Sequence, residues 1–312
     1  MRQPGRSSLA RGLRRPQMRI AWIAWIAAGI LALLAASGWW LVAPLRGTAR
    51  SQAAAAGIHR LQGASWHPEL GQLLFVAVLG SDARVGPPDA GGGCDAVHVV
   101  AINPRMKAGT IVNFPRDSFL DGRKLTDICR QSGFDAGAQV LRAHTGFPIQ
   151  YVAHTQFTHF IALVDELGGL DIDVPNRMYN PGDTGTHFEP GPQHMPGGDV
   201  LSFTRDRYTT PNGDFGRTFN QGSVILAGLR RFRSDAGDMH RILDYVRVAR
   251  RHTAFDVPLP DLIRMALVAR EIDPANVKNV TVPGRVGTVG SASVVFLTPA
   301  DLYDRVRDDA IY

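Results

Sequence analysis

The stretch "IAWIAWIAAGILALLAASGWWLVA", from Ile20 to Ala43, carries no charged side chain, and no other segment restricts the chain so strongly. A helix rises roughly 1.5 Å per residue, so a run of this length crosses a hydrocarbon layer about 30 Å thick. Six arginines precede it (Arg2, Arg6, Arg11, Arg14, Arg15 and Arg19), and Trp22, Trp25, Trp39 and Trp40 lie near its ends. Cationic residues are retained on the cytoplasmic side, and tryptophans settle at the interfaces. The expected topology is a cytoplasmic basic tail over residues 1–19, a single transmembrane signal-anchor over 20–43, and an extracytoplasmic remainder, which locates the chain at the cell membrane. The competing reading is a cleaved signal peptide, for which "AASG" at Ala35–Gly38 offers small residues. The apolar run continues past that point and exceeds an ordinary signal core.

Charge supports the same division. The formal net charge is +6, from 34 basic and 28 acidic residues. Eight of the arginines fall in the first 50 residues, where no acid occurs, which leaves 26 basic against 28 acidic groups beyond them. The exported part is slightly acidic, so no nucleic-acid partner is expected, and no helix-turn-helix or zinc pattern argues otherwise. Apolar residues make up 45% of the chain, ample for a packed core. The two cysteines, Cys94 and Cys129, both lie in the exported part, where pairing is favoured over metal binding. A bridge closing a loop of that size contributes roughly 3–4 kcal/mol in the chain-entropy account.

Residues 44–71 read as an alanine-rich tether, and residues 72–312 as one domain. "LLFVAVLG", "AVHVVAIN" and "GTIVNF" are short apolar runs bounded by Gly, Pro and Asp, the pattern of buried strands. "FDAGAQVLRAHTG" predicts a helix, "YVAHTQ" a strand, "FTHFIALVDELGG" a helix and "LDIDVP" a strand. The segment 176–198, rich in Pro, Gly and His, predicts a surface excursion. Helices are then expected over "GDVLSFTR", "GRTFNQGSVILAGLRRF", "RILDYVRVAR" and "LPDLIRMALVAREI", followed by the strands "VKNVTVPG" and "VVFL". A last helix is expected with Thr298 as its cap and Pro299 in its first turn. Strands alternating with helices imply an α/β domain whose mixed central sheet is covered by helices on both faces.

Four polar clusters sit where strands end or loops begin: "GSDAR" with Asp82 and Arg84, "CDAV" with Asp95, "NFPRDS" with Arg116 and Asp117, and "RDRYTTPNGDFGRTFNQ" from Arg205 to Gln221. Any one of them alone reads as a solvated ion pair of little energetic weight. Together, Arg84, Arg116, Arg205, Arg207 and Arg217 concentrate guanidinium groups in a domain that is otherwise slightly acidic. Guanidinium forks match phosphate oxygens two at a time. Asp82 and Asp95 supply oxygen ligands for a hard cation such as magnesium, which bridges phosphate oxygens. Arg217 and Gln221, four residues apart, share one face at a helix start, where free N–H groups add positive potential.

Taken in order, "LGSDAR", "CDAVHVVAINP", "NFPRDS", "KLTDI", "ALVDELGGLDIDVP", "GPQHMPGGDVLSFTRDR" and "GDFGRTFNQ" resemble the motifs of the LytR-CpsA-Psr proteins of bacterial cell envelopes. The resemblance covers nearly the whole exported region. It implies a transferase that moves a glycopolymer from a polyprenyl-pyrophosphate carrier onto peptidoglycan through a phosphodiester, with magnesium as cofactor. Membrane lipid, the lipid-linked polymer and the peptidoglycan acceptor are the implied partners. Carried over by position, Asp82 and Asp95 would hold the metal, and Arg84, Arg116, Arg205, Arg207, Arg217 and Gln221 would grip the pyrophosphate. Asp82, Asp95, Arg116 and Arg217 form the implied catalytic set. Asp117 would orient an arginine, and Asp214 would order the loop before the helix. The sequence departs from the family at Cys94, where Ser or Arg is frequent, at Asn220, where a further Arg is common, and at Asn113, in place of a usual Ser.

The lipid tail calls for an apolar tunnel, for which "FTHFIALVDEL" and the run from Val224 to Leu229 are candidate walls. Asp95 is a candidate general base, though a carboxylate is a poor base while it binds metal. Water as acceptor would give pyrophosphatase side activity. Two other readings stand beside the transferase: a non-catalytic holder of lipid-linked polymer, and an envelope-related transcriptional attenuator.

Overall fold

The computed structural model describes residues 56–82 and 92–312. The expected basic tail, the expected anchor and Arg84 lie outside the described residues. Seven strands form the central sheet: β1 (Gly57–Arg60), β2 (Leu74–Ser81), β3 (Cys94–Asn103), β4 (Ala108–Asn113), β7 (Tyr151–Gln156), β12 (Ala254–Asp256) and β13 (Val277–Thr281), in the order β12-β1-β7-β2-β3-β4-β13. The β2–β3–β4 meander is antiparallel, whereas β7 runs parallel to β2 and β13 parallel to β4. The sheet is therefore mixed, as the alternation of elements led us to expect, and the short strands β5 (Phe119–Leu120) with β6 (Arg123–Lys124) and β9 (Met178–Asn180) with β10 (Thr186–Phe188) pair outside it.

Period-2 alternation sorts side chains to the two faces. Phe75, Ala77 and Leu79 of β2 and Val97, Val99 and Ala101 of β3 pack on one face beneath α1 (Leu125–Thr145) and α7 (Leu302–Asp309). Leu74, Ile102 and Ile111 point to the other face, under α4 (Asp214–Asp235) and α6 (Leu259–Glu271). Each fully buried aliphatic or phenyl side chain contributes roughly 1.5–3 kcal/mol. A smaller core joins α2 (Phe157–Glu166), α3 (Gly197–Arg205) and α4 to the hairpin of β8 (Leu170–Val174) and β11 (Gly191–Met195). α5 (Met239–His252) completes the helical layer next to α2 and α6.

One irregularity decides which residues reach the site. Gly80 lies opposite Ala96 and Ser81 opposite Cys94, so Asp95 is an extra residue on β3 with no partner of its own. Such a bulge lets two consecutive residues exchange the faces that strict alternation would give them. Cys94 thereby joins Val97 and Val99 in the core, fully buried. Asp95 turns with Ala96 and His98 to the opposite face. From the core side Cys94 reaches Cys129 of α1, and the two form a disulfide across Cα atoms 5.6 Å apart.

Several expectations need correction. The domain starts before residue 72, because Gly57–Arg60 is a sheet strand and Leu61 and Trp66 are buried. Residues 57–71 are thus part of the fold rather than tether. The helix expected from Phe134 begins nine residues earlier, at Leu125, and is broken at Gly133, whose φ of 81° only glycine adopts readily. "LDIDV" pairs with β11 outside the central sheet, and the excursion at 176–198 folds into short strands and the start of α3. The last helix begins at Leu302 without a side-chain cap. Thr298 instead donates its N–H to Pro283 O at 2.7 Å, and Ala300 takes a φ of 48°.

The disulfide ties the bulged end of β3 to α1. Reducing it is expected to lower the unfolding free energy by about 3–4 kcal/mol, measured by urea denaturation with and without reductant; an unchanged midpoint would leave the bridge without structural weight.

Candidate active site

A cavity of about 290 Å³ opens on the face of the sheet to which the bulge turns Asp95, between the strand ends and the helices α2, α3 and α4. Asp95, Arg116, Arg205, Arg207, Arg217 and Gln221 all line it, although more than 120 residues separate the first from the last. They come from the β3 bulge, the turn after β4, the end of α3, the loop behind it and the first turns of α4. Asp82 is exposed just beyond the end of β2 and outside the cavity wall itself.

Arg116 Nη1 donates to Asp95 Oδ1 at 2.7 Å. Burial works against the Arg116 charge, but Asp95, with Asp117 and Asp214 beyond it, more than offsets this and holds its pKa above the usual value. Arg217 is more deeply placed, its side chain 7% exposed and its Nη2 2.5 Å from Asp214 Oδ1. That approach is an ion pair without hydrogen-bond alignment, since neither Nη2 nor Nε of Arg217 has a hydrogen-bond partner among the described residues. Burial lowers the Arg217 pKa; Asp214 counters it, and Arg116 adds like-charge repulsion. Arg116 Nε is also buried and unpaired. Two guanidinium groups therefore stand close enough to repel each other, each with a buried N–H still to satisfy. An unmade buried hydrogen bond of this kind costs about 1–3 kcal/mol, and more for a charged group.

The flanking arginines are held by aromatic rings. Arg205 lies over Phe157 at 5.3 Å, and Arg207 over Tyr208 at 4.9 Å. Between them Asp206 is fully buried. Burial raises its pKa, but hydrogen bonds from the Thr186 and Thr209 hydroxyls and from the backbone N–H groups of Tyr208 and Thr209 bring it below the usual carboxylate range. Asp206 thus pins the loop from which the arginines project. Asp82 has a raised pKa, first from desolvation of its inner side and then from the neighbouring charge of Asp95.

Two of the expected roles are redistributed. Asp117 pairs with Lys124 at 3.2 Å rather than with an arginine, and Asp214 holds Arg217 directly. Gln221 reaches the cavity, but its Nε2 donates to Thr204 O at 3.1 Å and Asp95 O at 3.4 Å. Two carbonyls fix the amide orientation, so Gln221 clamps α4 to the bulge, and its oxygen is buried without a hydrogen-bond partner among the described residues. The apolar end of the cavity is built from Phe157, Phe160, Leu201, Val224 and Ile225. Leu226 and Leu229, expected beside them, pack in the core instead.

A buried polar chain that sequence reasoning missed runs under this cavity. His98 Nδ1 contacts Asn113 Oδ1 at 2.7 Å, and because that oxygen only accepts, the ring donates. Asn113 Nδ2 donates to Asn279 Oδ1 at 2.7 Å, and Asn279 Nδ2 to Ser223 Oγ and Phe219 O. α4 rides directly on this chain at Gly222, where a Cβ would fall 2.2 Å from Asn279 Oδ1. Complete burial drives the His98 pKa down to about 4, against a smaller upward pull from Asn113.

A profile of the LytR_cpsA_psr family matches residues 54–310. A polyisoprenyl-teichoic acid–peptidoglycan teichoic acid transferase TagU of Bacillus cereus is 30% identical over 164 residues, 51% of this chain and 52% of its own length. The chain spans about half the length of the curated relatives it matches. Among solved structures, that of B. subtilis TagV superposes with a TM-score of 0.64 at 19% identity, covering 77% of this chain and 96% of its own. TagT with bound octaprenyl pyrophosphate lipid gives 0.60 at 18% identity over 83% of this chain and 95% of its own. At these identities the structures establish a shared fold.

Two measurements test the site's energetics. His98 is neutral in the fold and titrates near 6.5 when unfolded, so protons favour the unfolded chain. Stability is expected to fall as pH drops from about 6.5 to about 4, with a slope of up to about 1.4 kcal/mol per pH unit from this residue. His98→Gln, which keeps a donor for Asn113, should flatten that slope in urea titrations across the window. Arg217→Met should leave the unfolding free energy within about 1 kcal/mol or raise it, whereas an arginine kept for structure would lose about 3–5 kcal/mol.

Proposed function

The chain belongs to the LytR-CpsA-Psr family, and from that premise we propose that it is a membrane-anchored transferase that moves a glycopolymer from a polyprenyl-pyrophosphate carrier onto peptidoglycan. The observation that carries this reading is the pair of buried, unpaired Nε donors on Arg116 and Arg217 beside a wall of Phe157, Phe160 and Val224. A diphosphate joined to a hydrocarbon tail answers both halves at once. Its oxygens would satisfy the guanidinium donors and relieve their mutual repulsion, and its first isoprene units would lie on the apolar end. Relatives named as teichoic acid transferases and a solved TagT complex with octaprenyl pyrophosphate point the same way.

In the proposed reaction an acceptor sugar hydroxyl attacks the phosphorus that bears the glycopolymer. The phosphodiester forms as the bond to the bridging oxygen breaks, and that oxygen leaves on polyprenyl phosphate. Arg116 and Arg217 hold the negative charge that grows on the departing phosphate, and Arg205 and Arg207 guide the outer oxygens. Positioning and charge neutralisation carry most of such a transfer. The hydroxyl proton passes to solvent at the cavity mouth, because Asp95, paired with Arg116 and assigned to the metal, is a poor base. Water in the acceptor's position would give hydrolysis as a side reaction.

Magnesium fits the donors present. Asp82 and Asp95 are near enough for one charge to raise the pKa of the other, and among the described residues no larger cluster of acids, histidines or cysteines exists. Two carboxylates plus substrate phosphates are the usual set for this ion. When bound, it would neutralise diphosphate charge.

The test is transfer by the full-length protein from a polyprenyl-pyrophosphate-linked glycan to peptidoglycan in the presence of magnesium. Arg116→Ala and Arg217→Ala are expected to slow turnover about 10²–10³-fold, with Asp82→Ala removing the response to magnesium. Tight lipid binding with no transfer by the wild-type protein would instead identify a holder of lipid-linked polymer.

A further inference from the structure

The arginine cavity occupies one side of the first turns of α4, and the opposite side of the same turns borders a second hollow of about 550 Å³. Phe215, Phe219 and Asn220 of α4 face it, with Pro211 from the preceding loop and Thr281 and Pro283 from the end of β13 closing the other side. No charged residue lines it. Two polar groups within it are unsatisfied. Asn220 is only 2% exposed, and its Nδ2 is buried with no hydrogen-bond partner among the described residues, as is Thr281 Oγ1. Phe219, by contrast, keeps 43% of its surface exposed beside them.

The combination narrows the ligand. A phosphate finds no cation here, unlike on the other side of the helix. A hydrocarbon chain would cover the phenyl rings but leave the Asn220 amide and the Thr281 hydroxyl unpaired in a drier setting, which is unfavourable for both. An uncharged pyranose ring satisfies both demands: its C–H face lies on aromatic and proline surfaces, and its hydroxyls or acetamido group meet the amide and the hydroxyl. The volume is within the range of small-molecule sites. We propose that this hollow binds an uncharged sugar of a glycan strand. The proposal rests on the transferase reading above, which requires a sugar hydroxyl to be brought to the diphosphate; α4 would then present the diphosphate grip on one side and the glycan on the other.

Calorimetric titration of the full-length protein in detergent micelles tests it, with chitotetraose as the uncharged glycan and octaprenyl pyrophosphate as the bare lipid. Phe219→Ala and Asn220→Ala are each expected to weaken chitotetraose binding by about tenfold or more and to leave octaprenyl pyrophosphate binding unchanged, with Phe219→Tyr restoring the sugar affinity. A third ligand, octaprenyl pyrophosphate carrying a glycan, identifies the source. If Phe219→Ala weakens it relative to the bare lipid, the hollow holds the donor polymer; if not, it holds the acceptor strand. Equal chitotetraose affinity in wild type and both variants, or no binding to wild type at millimolar concentration, would overturn the proposal. Failure of the transferase reading has a separate signature: loss of octaprenyl pyrophosphate binding while chitotetraose still binds.

Discussion

The extra residue in β3 is the constraint on which the site depends. Strict alternation along that strand would bury Asp95 among Val97 and Val99 and turn Cys94 toward the cavity. An unpaired carboxylate in such a core is costly by several kcal/mol, or is forced to take up a proton. The bulge at Gly80 and Ser81 resolves both problems in one step: it delivers the acid to the arginines and the thiol to α1. Gly80 contributes by size, since a Cβ there would stand 3.0 Å from that of Ala96.

Around that point the protein concentrates charge that its own groups leave incompletely matched. Arg116 is paired with Asp95, yet keeps a buried donor; Arg217 is paired with Asp214, yet keeps two. The surroundings hold these groups in place by rigid means: Asp206 pins the loop through four hydrogen bonds, and Gln221 fastens α4 to the bulge. Stability is given up locally while the unmatched donors are held in fixed orientation, the arrangement that preorganised electrostatic sites require.

Much of this was legible in the sequence, and the reasons differ by element. The strands β2, β3 and β4 announce themselves because each is a nearly continuous apolar run between turn formers, and the arginines stand out because loops rarely gather so many. What stayed hidden depends on partners far away in the chain. The bulge exists only once β2 is laid against β3. The polar chain from His98 through Asn113 to Asn279 joins residues up to 181 positions apart, and each of them alone looks like an ordinary strand residue. The helical spacing of Gln221 from Arg217 puts both on one face, and the family resemblance implies a grip on pyrophosphate; only the backbone carbonyls of Thr204 and Asp95 reveal that the amide's donors are already engaged. Thr298-Pro299 has the composition of a helix start, but the backbone of Thr298 is recruited by Pro283 first.

Cys94 and Asp95 are adjacent, one locked in a covalent link and the other facing the arginines. Oxidation of the thiols therefore ties the residue next to the acid to α1, on the core side of the sheet. A compartment that forms disulfides thus also fastens the strand end that carries the acid.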